Sequence, residues 1–257
     1  MAHLTLSTEG AHRNVLLDDL SKGELAVQAN NHVIADGKDA MVLDPGGHKV
    51  FARALAETAS ALGGARVTRI FLSHQDPDIV AALNGWLMST DAVAYASRLW
   101  LRFNPHFGMD RFVADRLLPI PDEGMVMTLG QSELLILPAH FLHSAGNFQV
   151  YDPIARILYS GDLGASLGNP YREVSDFDAH LPSMLGFHQR YMTCNAAMRR
   201  WAAMARQLDI EIIAPQHGAF FRGKELVNRF IDWADGLACG VDLLPATYAI
   251  PGRGAAS

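Results

Sequence analysis

A histidine and two carboxylates stand at alternate positions in the segment SHQDPDI, directly after the apolar run 70–72. They are His74, Asp76 and Asp78. Imidazole and carboxylate groups at such close spacing are typical metal ligands, so the segment favours a metal site. The alternative is an ordinary capping loop in which Asp78 starts the next helix.

Similar groups follow three other predicted strands, with His143 in PAHFLHSAGN, Asp162 in SGDLG and His217 in PQHG. Singly, each histidine could be a loop residue bonded to backbone, and the aspartate could be a turn residue between glycines. Together with the first segment they make three imidazoles and three carboxylates without a thiolate, which suits an ion of intermediate to hard character. Six groups are too many for one tetrahedral ion but suit two ions that share a bridging carboxylate. His140 is a spare histidine, interpreted as a supporting or structural residue.

The elements that must position these groups indicate a layered α/β fold with mixed sheets. An Asp-Gly pair between two apolar runs, 33–34 and 41–43, predicts a β-hairpin. Strands and helices then alternate, and ligand sites gather where strands end because the exit loops converge on one edge of a sheet. The predicted helices cover about residues 48–62, 78–89, 194–208 and 225–237, and the later predicted strands cover about 67–72, 92–95, 133–137, 147–151, 156–159 and 210–214. Residues 97–124 are predicted to be an irregular connection.

Composition narrows the classes of function. Hydrophobic residues make up 49% of the 257 residues and charged residues 19%, so we expect one folded domain over residues 1–257 with a loose tail from about 251. A net charge of −6 without a long basic run argues against nucleic-acid binding. The N-terminus is polar and no long apolar run occurs, so we expect neither a signal peptide nor a membrane span. Cys194 and Cys239 form no CxxC motif and suit free thiols in the cytoplasm.

In this order, the four polar segments resemble the metallo-β-lactamase superfamily over about residues 30–235. The hallmark of that superfamily is His-x-His-x-Asp-His after a strand, followed by a histidine, a bridging aspartate and a final histidine. Here the second histidine of the hallmark is Asp76 and the last is Ile79. HQDPDI, FLHSAGN and YSGDLGA resemble most closely the oxygen-binding di-iron proteins, which are similar to flavodiiron proteins without the flavodoxin domain and are linked to bacterial chemoreceptors.

The resemblance implies an αββα sandwich of two mixed sheets flanked by helices. It also implies two iron ions (Fe2+/Fe3+) with a bridging oxo, hydroxo or O2 group, and no flavin; zinc and manganese stay open as alternatives. Carried over by position, His74, Asp76 and His143 would hold one iron, Asp78 and His217 the other, and Asp162 would bridge them. Ile79 cannot ligate, so the second iron is one protein ligand short.

These features favour an O2-binding sensor or carrier, coupled to a partner such as a methyl-accepting chemotaxis protein. An extra carboxylate at Asp76 suits an ion that must reach the +3 state, because hard ligands stabilise the higher charge. Two alternatives stay open: a reductase of O2 or NO that uses an external redox donor, and a di-metal hydrolase of thioesters, lactones or phosphoesters. Asp76 and Ile79 argue against the hydrolase. The aromatic residues Trp100, Phe103 and Phe107 are interpreted as packing, with an O2 path or a homodimer contact as the alternative.

Overall fold

Two β-sheets form the body of the molecule in the computed structural model, which describes residues 3–17, 19–21 and 27–252. The first sheet has seven strands in chain order: β1 (His3–Glu9), β2 (His12–Leu17), β3 (Asn31–Asp36), β4 (Asp39–Leu43), β5 (Arg66–Phe71), β6 (Val93–Ser97) and β7 (Leu117–Ile120). Its first four strands pair antiparallel, and β4 to β7 pair parallel. The sheet is therefore mixed, as predicted.

The second sheet has six strands and is also mixed. Its order is β13-β12-β11-β10-β9-β8. The strands are β8 (Met125–Leu129), β9 (Ser132–Pro138), β10 (Phe148–Asp152), β11 (Ile157–Gly161), β12 (Ile212–Pro215) and β13 (Phe221–Arg222). Only β11 and β12 pair in parallel, and the other neighbours are antiparallel.

The helices cover the outer faces of the two sheets. α1 (Phe51–Leu62), α2 (Pro77–Val80) and α3 (Leu83–Ser89) pack on the first sheet, and α4 (Phe177–Tyr191), α5 (Asn195–Ala205) and α6 (Lys224–Gly236) pack on the second. Short 3-10 turns lie at Asn104–Phe107, Ala114–Arg116 and Gly240–Leu243. The result is the predicted αββα sandwich.

Strand alternation explains why the sheets are buried on both faces. In β4, Met41 and Leu43 belong to the core between the sheets, whereas Ala40 and Val42 belong to the core under the helices. Successive side chains of a strand point to opposite faces, so a continuous apolar run fills both cores at once. The core between the sheets holds side chains from both, which joins them along most of their length.

A buried polar cluster also joins the two sheets, near the end of β10 and the start of β9. His12 Nε2 in β2 lies 2.6 Å from Asp152 Oδ2 in β10. The other ring nitrogen of His12 lies 3.0 Å from Ser132 Oγ in β9, whose hydroxyl donates to Asp36 Oδ2 at 2.9 Å. Because buried polar groups must be paired, this cluster restricts how the sheets can pack together.

The predicted elements are mostly present, but β1, β2, β8 and β13 were not predicted, and three further differences occur. The hairpin of β3 and β4 is confirmed, and α1 ends at Gly63 in the left-handed conformation, as its Gly-Gly pair predicts. The helix predicted over 78–89 is two helices, α2 and α3. The connection over 97–124 is not wholly irregular, because it contains β7, and α4 was not predicted.

Two other expectations concern the chain ends and the membrane. The tail was predicted to be loose from about residue 251; residues 251–252 form a turn, and the remainder of the tail lies outside the described residues. Within the described ranges, no helix combines the length and apolar character that a membrane span requires.

Candidate metal centre

The loop after β5 carries three of the predicted ligands. β5 ends at Phe71 and α2 begins at Pro77. A residue before proline disfavours the helical conformation, and Asp76 is extended, with φ −65° and ψ 150°. His74 and Asp76 therefore lie on the extended approach to α2, and Asp78 lies in its first turn.

The second sheet supplies the other three ligands from separate loops. His143 lies between β9 and β10, Asp162 directly follows β11, and His217 follows β12. The last loop requires glycine at position 218, where φ is +78° and a Cβ would lie 2.0 Å from Ser166 Oγ. These loops meet the loop after β5, so the structure brings the six predicted ligands together.

Three of them form a first group around one oxygen of Asp162. His143 Nε2 lies 2.9 Å from Asp162 Oδ2 and 3.6 Å from Asp76 Oδ2. His74 Nε2 lies 3.7 Å from each of the same two oxygens. Ligand atoms that each lie about 2.0–2.2 Å from one ion are about 3–3.5 Å from each other. His74, Asp76 and His143 therefore converge as the ligands of a single ion do, and Asp162 Oδ2 contacts the two histidines of that group.

The remaining two ligands form a second group on the other oxygen of Asp162. His217 Nε2 lies 3.4 Å from Asp78 Oδ2 and 3.4 Å from Asp162 Oδ1. Oδ1 of Asp162 thus faces this group, while Oδ2 faces the first. A carboxylate whose two oxygens face separate groups has the arrangement of a bridging ligand.

The residues fit a pair of metal ions. Asp162 Oδ1 is buried and, among the described residues, accepts no hydrogen bond of good geometry; its contact is the His217 ring at 3.4 Å. Such an oxygen is costly to bury unless a cation or a donor satisfies it. Imidazole and carboxylate ligands without thiolate suit iron, zinc or manganese. Two such ions would satisfy the orphaned oxygen and both ligand groups.

The carboxylates also control the protonation of the imidazoles. Burial alone would lower the pKa of His217, but the carboxylates of Asp162 and Asp78 raise that pKa to about 10. Burial would likewise lower the pKa of His74, but Asp76 and Asp162 raise it above its ordinary value. Burial would raise the pKa of Asp162, yet His143 and His217 hold it well below its usual range. Protons on His74 and His217 balance the carboxylates, so a metal ion must displace these protons to bind.

Comparison with known families agrees with this geometry. A family model described as ODP family beta lactamase matches residues 27–218, which include all six predicted ligands. The chain belongs to the ODP family. Curated protein sequences, compared in the same way, contain no match.

Two solved ODP structures are similar to this chain over almost their whole length. The peroxy di-iron species of the chemotaxis sensor ODP is 38% identical, with a TM-score of 0.84 over 95% of this chain and 98% of that chain. The apo state of the chemotaxis sensor ODP from T. denticola is 38% identical, with a TM-score of 0.82 over 94% and 97% of the two chains. The predicted fold and the predicted resemblance to oxygen-binding di-iron proteins are confirmed.

A flavodiiron protein shares the fold alone. The flavodiiron protein from Giardia intestinalis is 16% identical, with a TM-score of 0.73 over 90% of this chain and 58% of that chain. The ODP-family chain therefore has the metallo-β-lactamase-like fold that this longer protein also contains.

Supporting residues that sequence reasoning missed orient two of the histidines of this ODP-family chain. Ser73 Oγ lies 2.9 Å from His74 Nδ1, and the backbone carbonyl of Gln28 lies 2.5 Å from His217 Nδ1. A partner on Nδ1 directs Nε2 towards a metal. Asp44 accepts a hydrogen bond from the Ser73 amide at 2.7 Å, and burial raises the pKa of its carboxyl to about 6. The 189 residues that separate Gln28 from His217 leave no local pattern from which this contact could be predicted.

Two further predicted residues lie beside the centre in different ways. Ile79 is fully buried in the apolar core that also contains Trp86, and it directly follows Asp78. His140 contacts the backbone carbonyl of Asp122 at 2.9 Å through Nε2 and packs edge-on against Phe148. In the described part of the chain, neither a hydrogen bond nor an ion pair joins His140 to the six ligands. Its supporting role stays a prediction, and its contacts agree with the structural alternative.

Proposed function

We propose that this protein is a non-haem di-iron protein that binds O2 and acts as an oxygen sensor. The observation that carries the proposal is the orientation of Asp162, whose two oxygens face two separate groups of histidine and aspartate. The similarity to the chemotaxis sensor ODP, whose solved structure contains a peroxy di-iron species, supports iron as the metal and O2 as the ligand.

The ligand set divides into two metal positions that differ in their number of protein ligands. His74, Asp76 and His143 would hold one iron, Asp78 and His217 would hold the other, and Asp162 would bridge them. Two ferrous ions bound there would supply the electrons that O2 takes up. The first position has four protein ligands including Asp162, and the second has three. We therefore expect the first iron to bind more tightly.

The carboxylates of the site favour redox chemistry over hydrolysis. Asp76 adds an anionic oxygen at a position where the superfamily hallmark has histidine, and its Oδ2 is turned towards His74 and His143. Hard anionic ligands stabilise an ion as its charge rises from +2 to +3. At the second position Ile79 offers no ligand, which leaves room there for a small exogenous molecule.

The partner and the compartment belong to the same proposal. A sensor must pass its state to another protein, and a chemoreceptor is the partner we propose, because the similar ODP protein is a chemotaxis sensor. The cytoplasm is the compartment we propose, and the free thiols Cys194 and Cys239 agree with a reducing environment.

The test is anaerobic loading with ferrous iron, followed by elemental analysis and exposure to O2. We expect about two irons per chain and a ligand-to-metal charge-transfer band that appears with O2. His143→Ala should lose the band, whereas His140→Ala is the matched control that should keep it, because His140 contacts Asp122 instead of the ligands. A colourless wild-type protein that takes up only zinc would refute the proposal.

A second measurement separates binding from turnover. A sensor should take up O2 once, in proportion to its di-iron content. Sustained O2 consumption after the addition of an electron-donor chain would instead indicate a reductase and would overturn the sensing role.

A further inference from the structure

The side chain of Gln75 connects one predicted iron ligand with a neighbouring loop. Gln75 lies between His74 and Asp76 in the chain, and its Nε2 donates to Asp76 Oδ1 at 3.1 Å. Oδ1 of Asp76 is thereby occupied, and Oδ2 is the oxygen that faces the imidazoles of His74 and His143. Gln75 thus determines which oxygen of Asp76 is presented to a metal.

The amide oxygen of Gln75 is linked through Ser144 to Trp100, which lies in the connection between β6 and β7. The Ser144 hydroxyl donates to Gln75 Oε1 at 2.5 Å, and Trp100 Nε1 donates to Ser144 Oγ at 3.1 Å. Gly146 permits this approach, because a Cβ there would lie 2.5 Å from Ser97 Oγ and 3.0 Å from Trp100 Nε1. Gln75 and Ser144 are both close to the first iron position, since Gln75 separates two of its ligands and Ser144 follows the third.

The direction of these hydrogen bonds is fixed by chemistry. An indole nitrogen can only donate, so Ser144 Oγ must accept from Trp100. The Ser144 hydroxyl then donates its only hydrogen bond to Gln75 Oε1, and the Gln75 amide group donates to Asp76. Every bond therefore donates towards the carboxylate, and such chains strengthen one another.

Trp100 belongs to an arm, residues 98–116, that crosses from β6 to β7 over the helical side of the first sheet. Its far end is held independently, since the Asp110 amide donates to Asn84 Oδ1 at 2.8 Å and Arg116 donates to the carbonyls of residues 90 and 92. The arm exposes large apolar side chains, with Phe103 42% exposed near the Trp100 end and Phe112 72% exposed within the far end. Only the Trp100 end of the arm is linked to the metal centre by the contacts described above.

We infer that Gln75, Ser144 and Trp100 form a relay through which occupancy of the first iron position sets the mobility of the arm. The inference rests on the proposed function, because it requires an ion at Asp76. A cation on Oδ2 withdraws charge from the carboxylate and makes Oδ1 a weaker acceptor. Each bond of the relay then weakens in turn, and the Trp100 end of the arm is released. Gln75 is a positioning residue for Asp76, and Trp100 reports the state of that ligand at the surface.

The experiment is hydrogen exchange of metal-free and iron-loaded protein under anaerobic conditions. The amides of Phe103 and Asn104 are informative, because both donate to the Trp100 carbonyl. We expect iron to speed their exchange by roughly fivefold. Peptides around Asp110 and Arg116, which are held independently, should not respond and serve as an internal control.

Two variants interrupt the relay at different places. Gln75→Leu removes both of its hydrogen bonds, and Trp100→Phe removes the indole donor while it keeps an aromatic ring. In both, exchange near Trp100 should be fast without metal and should not change when iron is added. Gln75→Leu should also weaken iron binding by roughly ten- to a hundredfold, the usual cost of losing such a supporting contact, so iron is added to saturation. Trp233→Phe removes another partly buried indole, one on α6, and should keep the wild-type response.

The possible results separate the relay from the proposed function. Iron uptake without a change in exchange near Trp100 would overturn the relay and leave the di-iron proposal intact. An unchanged iron response in Gln75→Leu would also overturn the relay. No iron uptake by the wild-type protein would overturn the proposed function and the coupling together.

Discussion

Asp162 offers a sharp prediction, because a single side chain faces both groups of ligands. Its removal leaves His74, Asp76 and His143 at the first position, and only Asp78 and His217 at the second. Asp162→Ala should therefore weaken both ions. Asp78→Ala should weaken only the second, because Asp78 makes no contact with the first group among the described contacts.

The magnitude follows from ligand linkage. An ion present at a thousand times its dissociation constant stabilises the fold by about 4.1 kcal/mol, so two independent ions stabilise it by about 8 kcal/mol. Loss of even a supporting contact weakens binding by up to about a hundredfold, and loss of a direct ligand should exceed this. A hundredfold loss lowers the contribution of each ion to about 1.4 kcal/mol at the same metal concentration. Asp162→Ala should thus gain at most about 3 kcal/mol from metal, and Asp78→Ala should gain about 4–5.5 kcal/mol.

The assay is urea denaturation with and without ferrous iron, together with elemental analysis after gel filtration. Wild type should retain about two ions, Asp78→Ala about one, and Asp162→Ala fewer than one. An Asp162→Ala protein that lost one ion and kept the other at full strength would show that Asp162 does not bridge, and the two-position assignment would be wrong.

Three further predictions concern protons, the cluster between the sheets and one glycine. The pKa of His217 is raised to about 10 in the metal-free protein, so the stability that its proton contributes is complete below about pH 6.5 and is lost as the pH rises through about 10. Iron affinity should rise over the same pH range, because iron must displace that proton. Urea denaturation and chelator competition at several pH values can check the two effects. Asp152→Asn should lower the free energy of unfolding by about 3–5 kcal/mol without changing the iron content, because it leaves His12 without its buried anionic partner; equal urea midpoints for variant and wild type would contradict this. Gly218→Ala should destabilise the fold and reduce occupancy of the second position, since its Cβ would clash with Ser166, and calorimetry with metal analysis would show both effects.

The grouping of the six proposed ligands could be predicted from the sequence because the four segments that carry them come at the ends of predicted strands. Strand exits carry functional residues by geometry, and the His-x-Asp-x-Asp spacing preserves a recognisable hallmark even where Asp76 and Ile79 depart from it. The contacts that orient the ligands could not be predicted in the same way. Gln28 contacts His217, and Trp100 contacts Ser144 beside His143; neither Gln28 nor Trp100 lies in a segment with a chemical signal of its own. The sequence predicts a packing role for Trp100, whereas in the structure its indole also donates a hydrogen bond to Ser144.

Two of the missed elements and the divided helix have local causes. α4 contains Pro182, and its weak amphipathic pattern gives little helical periodicity over residues 177–191. β7 contains Pro119, which argues against a central strand but is tolerated here because β7 is an edge strand. The division between α2 and α3 falls at residues 81–82, where two alanines give no sign of a break.

Different polar groups connect the two sheets at the two ends of the sandwich. At one end, His12 and Asp152 join the sheets by a direct side-chain contact that requires no bound ion. At the other end, the first sheet contributes three acidic and imidazole side chains and the second contributes three more. On the proposed function, bound iron ions would join these two sets. Loss of iron should therefore loosen the molecule at one end only, with the permanently paired end acting as a pivot. Iron supply would then govern the shape of the protein as well as its chemistry.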